Sequence, residues 1–373
     1  MSVFFNKMLW VFLFQLSWSL ITEEQAFKEF IEQQNRNYSS QKEYSYRFEV
    51  FKQNLKLIQA NDGSLMGQLK GKVLLGTSDE EENLLRLGMN QFGDLTEEEF
   101  KHSVLMPEIP DHKPSEEQTA LKVKTAERAA SKGALASSTK ADRALQSLKR
   151  RASWKQFATP VKNQKDCASC YAFAAIAAPE ARYKQKTGKT VTLSEQEIVD
   201  CETVSSGCKG GFAVDSAKYV LKNKIFFEKN YPYSAKDGKC KGPTTNKNAN
   251  RVSRFSNLKS ITVLKDGNLE VIKALQNGPV SICLYFPSTA SLRFYKSGVY
   301  DGADCKNGNK PTHCVLAVGY DLSAKPAYIE FKNSWGLTWG DKGYFKLALG
   351  TIAAKSDGIC NIGGGKHNFV PNF

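Results

Sequence analysis

The sequence predicts an α+β protein in which a helical half precedes a β half, with a separate helical segment in front of both. Three observations carry this. Around Cys170, a turn of small and polar residues runs into the alanine-rich stretch 174–181, a composition that favours helix apart from Pro179. Beyond about Phe255 the pattern changes to short runs rich in aromatic and branched side chains, at 279–284, 314–320, 328–332 and 344–347, punctuated by Gly and Pro. Near the N-terminus, Glu43, Arg47, Phe51, Asn54 and Ile58 recur at helical steps and form one stripe.

Taken in order, residues 1–19 carry Lys7, an apolar run at 8–16 and Ser17-Trp18-Ser19. That is the pattern of a secretory leader cut after Ser19, with an apolar run too short to span a bilayer comfortably. It predicts a compartment where disulfides form. Nine cysteines, an odd number, then leave at least one free thiol. Within the first helical stripe Glu43 and Arg47 stand at ion-pair spacing. Asn37-Tyr38-Ser39 is a glycosylation triplet. Gly88-Met89-Asn90-Gln91-Phe92-Gly93-Asp94 follows an acidic insertion around 79–82. Residues 103–148 carry no motif; they are rich in Ala, Ser, Lys and Thr and read as a protease-sensitive connector with transient helix near 120–130. A cut between about 137 and 151 would release the C-terminal part, with Lys149-Arg150-Arg151 as a basic site.

Charge divides along the same line. Residues 145–373 hold 34 Lys plus Arg against 17 Asp plus Glu, whereas residues 1–144 hold 18 against 21. The lysines are scattered singly, without a basic stripe interleaved with stacking aromatics, so no nucleic-acid partner is expected. A cationic surface attracting the acidic N-terminal segment accounts for the imbalance.

The chemistry centres on Gln164-Lys165-Asp166-Cys167-Ala168-Ser169-Cys170. With Ser169 as N-cap, Cys170 falls in the first helical turn, where free N–H groups and the macrodipole favour a thiolate and can receive an oxyanion. A thiol nucleophile needs a base, and the chain has four histidines: His102, His112, His313 and His367. The first two precede the expected cut and the last lies in the tail beside Gly363-Gly364-Gly365, which leaves His313. Cys167-x-x-Cys170 lacks the strand–turn–helix context of a redox motif and the second pair of a zinc site. Leu193-Ser194 opens another helix, with Ser194 and Glu197 at capping-box spacing.

These segments together resemble the papain-like cysteine proteases, in the cathepsin L-like subgroup, from about Glu24 to the C-terminus. The N-terminal stripe is similar to the ERFNIN motif of that subgroup's propeptides, with its last Asn displaced, since Asp62 stands there beside Asn61. Residues 88–94 match the Gly-x-Asn-x-Phe-x-Asp motif that follows it. Further matches are 159–164, Cys208-Lys209-Gly210-Gly211, Tyr231-Pro232-Tyr233 and the segment Asn333-Ser334-Trp335-Gly336. The resemblance implies a papain-like fold of two subdomains, one helical and one β-barrel-like, flanking a cleft. Its expected divisions are a leader at 1–19, an inhibitory helical propeptide at 20–110, a connector at 111–144 and a catalytic domain at 145–373.

Carried over by residue, the resemblance implies Cys170 as nucleophile and His313 as base in a thiolate–imidazolium pair, Asn333 orienting His313, Trp335 shielding that bond, and Gln164 in the oxyanion hole. The implied activity is endopeptidase hydrolysis through an acyl-thioester, without metal or organic cofactor. It also implies disulfides Cys167–Cys208, Cys201–Cys240 and Cys305–Cys360, leaving Cys283 and Cys314 as small buried strand residues beside the free Cys170. Gly210 and Gly211 would approach substrate backbone. The specificity pocket would be lined by Phe212, Ala213, Cys283, Pro311 and Cys314 with Gly365 at its base. No charge lines it, so an apolar or aromatic side chain two residues before the scissile bond is expected. Tyr171 replaces the usual Trp, Ala168 a Gly, and Ala213 a frequent Pro. Expected partners are peptide and protein substrates, the chain's own propeptide and cystatin-like inhibitors; the protein is expected to be a monomer without membrane insertion, in a lysosome-like acidic compartment or secreted. Two competing functions are a silent homologue that binds or inhibits, against which the intact catalytic set argues, and a transpeptidase, which product analysis with an added amine would separate.

Overall fold

The computed structural model describes residues 22–62, 83–107, 148–241, 254–305, 310–353 and 356–373. The leader, the acidic insertion and the helix expected near 120–130 lie outside the described residues. The N-terminal segment contains α1 (Glu23–Gln33), α2 (Gln41–Asn61), β1 (Arg86–Leu87) and α3 (Glu97–Ser103). After β2 (Arg151–Ser153) come the helices α4 (Cys170–Thr187), α5 (Glu195–Cys201) and α6 (Ala213–Asn223). The strands β3 (Ile225–Phe226), β4 (Arg254–Phe255) and β5 (Ser260–Val263) lead to α7 (Asn268–Leu275), β6 (Val280–Leu284) and α8 (Ala290–Arg293). The chain ends with β7 (Tyr295–Ser297), β8 (Val299–Tyr300), β9 (His313–Asp321), β10 (Tyr328–Lys332), β11 (Tyr344–Ala348) and β12 (Phe369–Asn372).

The main sheet has the order β5-β12-β6-β9-β10-β11-β8, with β2 added alongside β9. Its strands are antiparallel except where β8 lies parallel to β11. β9 is buried over almost its whole length because both of its faces are covered. Val315 and Ala317 point into the core beneath the sheet, while Cys314, Leu316 and Val318 meet the alanine face of α4. Small side chains along α4 let it pack close against β9 and α6, and Gly188 stops it in the left-handed region at φ +72°. Helices gathered around α4 thus face a sheet built around β9, and the first residues of both elements meet at the junction.

The N-terminal segment closes on itself and on the sheet. Phe27, Phe30 and Phe51 form an aromatic core, and α3 begins with a complete Thr96–Glu99 capping box. The helical stripe meets the second motif: Asn54 donates to the carbonyls of Gly93 and Leu95, and Arg36 and Tyr38 hold the Asp94 carboxylate at 2.9 Å each. The expected Glu43–Arg47 pair is replaced by other partners. Arg47 reaches the Glu99 carboxylate at 2.7 Å and the Asp94 carbonyl, while Glu43 accepts from Ser39. A long-range carboxylate on the buried side of α2 outcompetes an exposed neighbour on the same helix.

Two local expectations also change. Ser169 occupies the N-cap position of α4, but its side chain makes no capping bond and instead shares a 2.7 Å hydrogen bond with Tyr233. Ser194 does accept from the Glu197 N–H; the Glu197 carboxylate, however, accepts from Phe226 N–H and Tyr219 rather than closing a box.

Candidate active site

Cys170 is the first residue of α4, and His313 the first residue of β9. Both are fully buried. Asn333 follows β10, antiparallel to β9, and its Oδ1 lies 2.7 Å from His313 Nε2 while also accepting from the Ser334 N–H. The second donor identifies that atom as the carbonyl oxygen, so His313 carries its proton on Nε2 and leaves a lone pair on Nδ1. Nδ1 is buried without a hydrogen-bond partner. Trp335 lies 4.7 Å from the imidazole between ring centroids, and Phe286 meets its edge at 5.2 Å. These rings keep water from the His313–Asn333 bond.

Gln164 is oriented from behind. Its Oε1 accepts from Ser334 Oγ and Trp335 Nε1, which turns Nε2 toward the cleft. There Nε2 donates to two carbonyls at 2.9 Å, those of Cys167 and Val104. Val104 belongs to the stretch that carried no sequence motif, so its first residues are not part of a loose connector. Residues 104–106 are buried in the cleft. Met106 N–H donates to the Thr312 carbonyl, and Met106 shares an apolar cluster with Ala213, Cys283 and Cys314. Gly210, at φ +113°, lies so close that a Cβ there would stand 3.4 Å from Met106 Cβ and 3.1 Å from Pro107 Cδ. Gly211 has a different neighbour: a Cβ there would strike Ser205 and Tyr171. Phe212 packs against the cluster, Pro311 is buried one residue before Thr312, and Gly365 packs tightly on the backbone of Lys265.

Burial sets the protonation of this closed site. It pushes the Cys170 thiol up to about 12, against backbone hydrogen bonds at Cys314, Tyr171 and Cys170 that favour the thiolate. It lowers His313 to about 4, against the Asn333 hydrogen bond. Burial thus disfavours charge on both groups while the site is covered, although the helix start by itself favours a thiolate.

Cys167–Cys208, Cys201–Cys240 and Cys305–Cys360 are disulfide-bonded. So are Cys283 and Cys314, contrary to the expectation that both remain thiols; Cys170 is free. They stand directly opposite in the β6–β9 ladder, with Cα atoms 4.0 Å apart. Their assignment to one pocket was the available signal. Register between strands some thirty residues apart cannot be read from the chain.

Nothing in the sequence signals how the N-terminal segment is anchored. Arg293 is buried and donates to the carbonyls of Phe92 and Leu95, and Asn90 returns a bond to the Arg293 carbonyl. Phe92 and Phe100 meet Trp335 edge-on at 5.3 and 5.5 Å. Behind the site Lys162 binds both oxygens of the buried Glu195 and reaches Glu180, which accepts from Thr159.

A thiol at a helix start, an imidazole oriented by a carboxamide and a side-chain amide on a peptide carbonyl define a site of the cysteine protease class. The papain family cysteine protease profile matches residues 146–365, and the cathepsin propeptide inhibitor domain profile matches residues 27–100. Chymopapain of Carica papaya is 36% identical over 343 residues, covering 91% of this chain and 84% of its own; papaya proteinase 4 of the same plant is 32% identical over 346 residues, covering 91% and 84%. Among solved structures, a recombinant stem bromelain precursor superimposes with a TM-score of 0.71 at 26% identity, covering 94% of this chain and 99% of its own. Digestive procathepsin L2 of Tenebrio molitor gives 0.67 at 28%, covering 94% and 100%. The chain belongs to the papain family of cysteine proteases, with the two-subdomain α+β fold of that family, and is a zymogen carrying its own propeptide inhibitor. Among the described residues no helix is long and apolar enough to cross a membrane.

Proposed function

We propose that the protein is a secretory-pathway cysteine endopeptidase in which Cys170 attacks a peptide carbonyl, His313 moves the proton, Asn333 orients His313 and Gln164 stabilises the oxyanion. The carrying observation is the 2.9 Å bond from Gln164 Nε2 to a main-chain carbonyl, that of Val104, beside an imidazole whose only uncommitted nitrogen is Nδ1. In the mechanism Cys170 gives its proton to His313 Nδ1, forming a thiolate–imidazolium pair, and the thiolate adds to the carbonyl carbon. Gln164 Nε2 and the Cys170 N–H receive the oxyanion. The imidazolium then protonates the leaving amine, and the neutral imidazole takes a proton from the water that releases the acyl group.

Inhibition follows from chain polarity. A substrate would put its pocket residue before the scissile carbonyl, whereas Met106, against Gly210 and Thr312, follows Val104. A reversed segment satisfies the cleft without offering a bond in register. The proposed divisions are a leader at 1–19, propeptide at 20–110, connector at 111–144 and catalytic domain at 145–373, with an acidic lumen or secretion as destination, cystatin-like inhibitors as partners and a monomeric state. Met106 in an uncharged cluster supports an apolar side chain at the pocket position.

The test is incubation of the full-length secreted protein at acid pH with a thiol reductant, alongside Cys170→Ala, following chain size and cleavage of an apolar–Arg fluorogenic peptide. Wild type should shorten and gain activity while the variant does neither. If externally processed wild type cleaves nothing in a broad peptide library, the reading fails.

A further inference from the structure

Two donors must converge on one oxygen if Gln164 and Cys170 act as proposed, and they stand at opposite ends of a turn that no regular element holds. Between them Lys165 takes φ +53°, a left-handed conformation unusual for a lysine. The middle of the turn is tied down by the Cys167–Cys208 disulfide and by the bond from Ala168 N–H to the Cys208 carbonyl. Its ends are joined by one side chain. The Tyr233 hydroxyl donates to the Gln164 carbonyl at 2.8 Å and lies 2.7 Å from Ser169 Oγ. Since its single proton goes to the carbonyl, the second contact is a bond that Ser169 donates. Among the described residues, Tyr233 is the one side chain bonded to both Gln164 and Ser169. Burial holds the Tyr233 hydroxyl above the usual phenol range, so the proton stays in place. The ring is fixed as well. Phe173, three residues after Cys170 in α4, meets it edge-on at 4.9 Å, and Gln196 of α5 accepts from the Ser234 N–H at 2.8 Å, which anchors the backbone beside Tyr233.

We propose that Tyr233 is a positioning residue for the oxyanion hole, its hydroxyl bridging Gln164 and Ser169 so that the Gln164 amide and the Cys170 N–H point at the same place. This rests on the endopeptidase reading. Without the bridge the Gln164 carbonyl loses its side-chain anchor, and the Ser169 hydroxyl is left with only the Cys167 carbonyl, 3.4 Å away. The peptide planes at the two ends of the turn then settle independently, and a displaced donor stabilises a developing charge less well. The bridge also accounts for the missing N-cap. Ser169 uses its hydroxyl to hold Tyr233 rather than to accept from the first turn of α4, which leaves the N–H groups of that turn free. The base is held by other contacts: His313 is oriented by Asn333, which touches neither Tyr233 nor Ser169. Loss of the Tyr233 hydroxyl should therefore weaken the stabilisation of the oxyanion and spare the thiol–imidazole pair.

The experiment compares wild type, Tyr233→Phe, Gln164→Ala and the double variant, each made as the full chain and matured by an added protease. Cleavage of a peptide amide, as kcat/KM, reads oxyanion stabilisation. The rate at which iodoacetamide alkylates Cys170 reads the thiol–imidazole pair alone, because the sulfur displaces iodide at a saturated carbon and no oxyanion forms. Tyr233→Phe should lower kcat/KM by roughly ten- to hundredfold, less than the 10²–10³-fold expected for removing a donor outright, with alkylation within about twofold of wild type. In the Gln164→Ala background the same change should have a several-fold smaller effect, since one of the two donors it aligns is already gone. Cleavage and alkylation falling in parallel would overturn the proposal, because the hydroxyl would then act on the nucleophile. An unchanged kcat/KM would overturn it too, as would losses that multiply in the double variant. Should Tyr233→Phe not fold, Ser169→Ala removes the other hydroxyl of the bridge: cleavage should fall with alkylation retained, and wild-type cleavage would refute the proposal. A wild type that is alkylated at Cys170 yet cleaves no peptide sinks the endopeptidase reading, and this proposal with it.

Discussion

The side-chain amide of Gln164 donates to the main-chain carbonyl of Val104 at 2.9 Å, so the propeptide occupies the position in which a reacting carbonyl would be stabilised. One group thus serves inhibition and the proposed chemistry. Gln164→Ala should lower kcat by roughly 10²–10³-fold, as for other oxyanion donors, and also weaken inhibition by an added peptide spanning residues 22–107. Steady-state kinetics with and without that peptide check both effects. A fall in kcat with inhibition untouched would separate the two roles.

Asn333→Ala should reduce kcat with little change in KM, because the imidazole loses its only ring hydrogen bond rather than a substrate contact. It should also cost about 1–3 kcal/mol of stability, since the His313 Nε2–H is left buried without an acceptor. Chemical denaturation of the zymogen measures the second effect. Asn333→Gln, with its carboxamide displaced by a methylene, should not restore kcat.

Acid should open the zymogen through His313. Covered His313 titrates near 4, whereas a hydrated imidazole titrates near 6.5. Between these values the opened form binds a proton that the closed form refuses, so each unit of acidification favours opening by up to about tenfold. The activation rate should be flat above pH 7 and rise from about pH 6.5 down to 4. Equal rates at pH 7 and 4.5 would contradict this.

Glu99 acts in a lower window. Burial raises its pKa, but hydrogen bonds from Arg47 and Thr96 outweigh burial and leave it below its ordinary 4.5. Its contribution is present above that value and is lost as pH falls through the lowered one. Glu99→Gln should therefore speed propeptide release at neutral pH and flatten the part of the activation profile below 4.5. Time courses of processing at pH 3.5, 5 and 7 distinguish this from the His313 effect.

Lys162→Met should destabilise the protein by about 3–5 kcal/mol, because it strands the buried Glu195 and Glu180 without their cation. Raising the pH should deepen the loss, because burial holds the Glu195 carboxyl up at about 7 and its ionised form is the costlier one without the cation. Thermal unfolding at pH 5 and pH 8 checks the sign.

Much of the site was legible because its signals are local. Cys170 follows a turn and opens an alanine-rich helix, Asn333 precedes Trp335 in one short segment, and four histidines reduce to one by position. The strands at 280–284, 328–332 and 344–348 follow from composition alone. Arg47 shows where such reading stops. Its helical neighbour Glu43 is visible in the spacing, but Glu99, its partner, arrives from another helix 52 residues away. Arg293 gave no signal because its acceptors are backbone carbonyls, which every residue possesses.

By itself the sequence determined the chemical inventory and the periodicities: one thiol at a helix start, one available imidazole, a helical half before a β half, and a separate helical segment in front of both. Only the tertiary structure decided that Cys283 bonds Cys314, that residues 104–107 run across the cleft from Gln164 toward Gly210, and that burial disfavours charge on Cys170 and His313 while they are covered. The first depends on the register of two strands, the second on chain direction in a groove built from distant loops, and the third on how completely water is excluded. Each arises between segments far apart in the chain, where spacing and composition carry no information about distance.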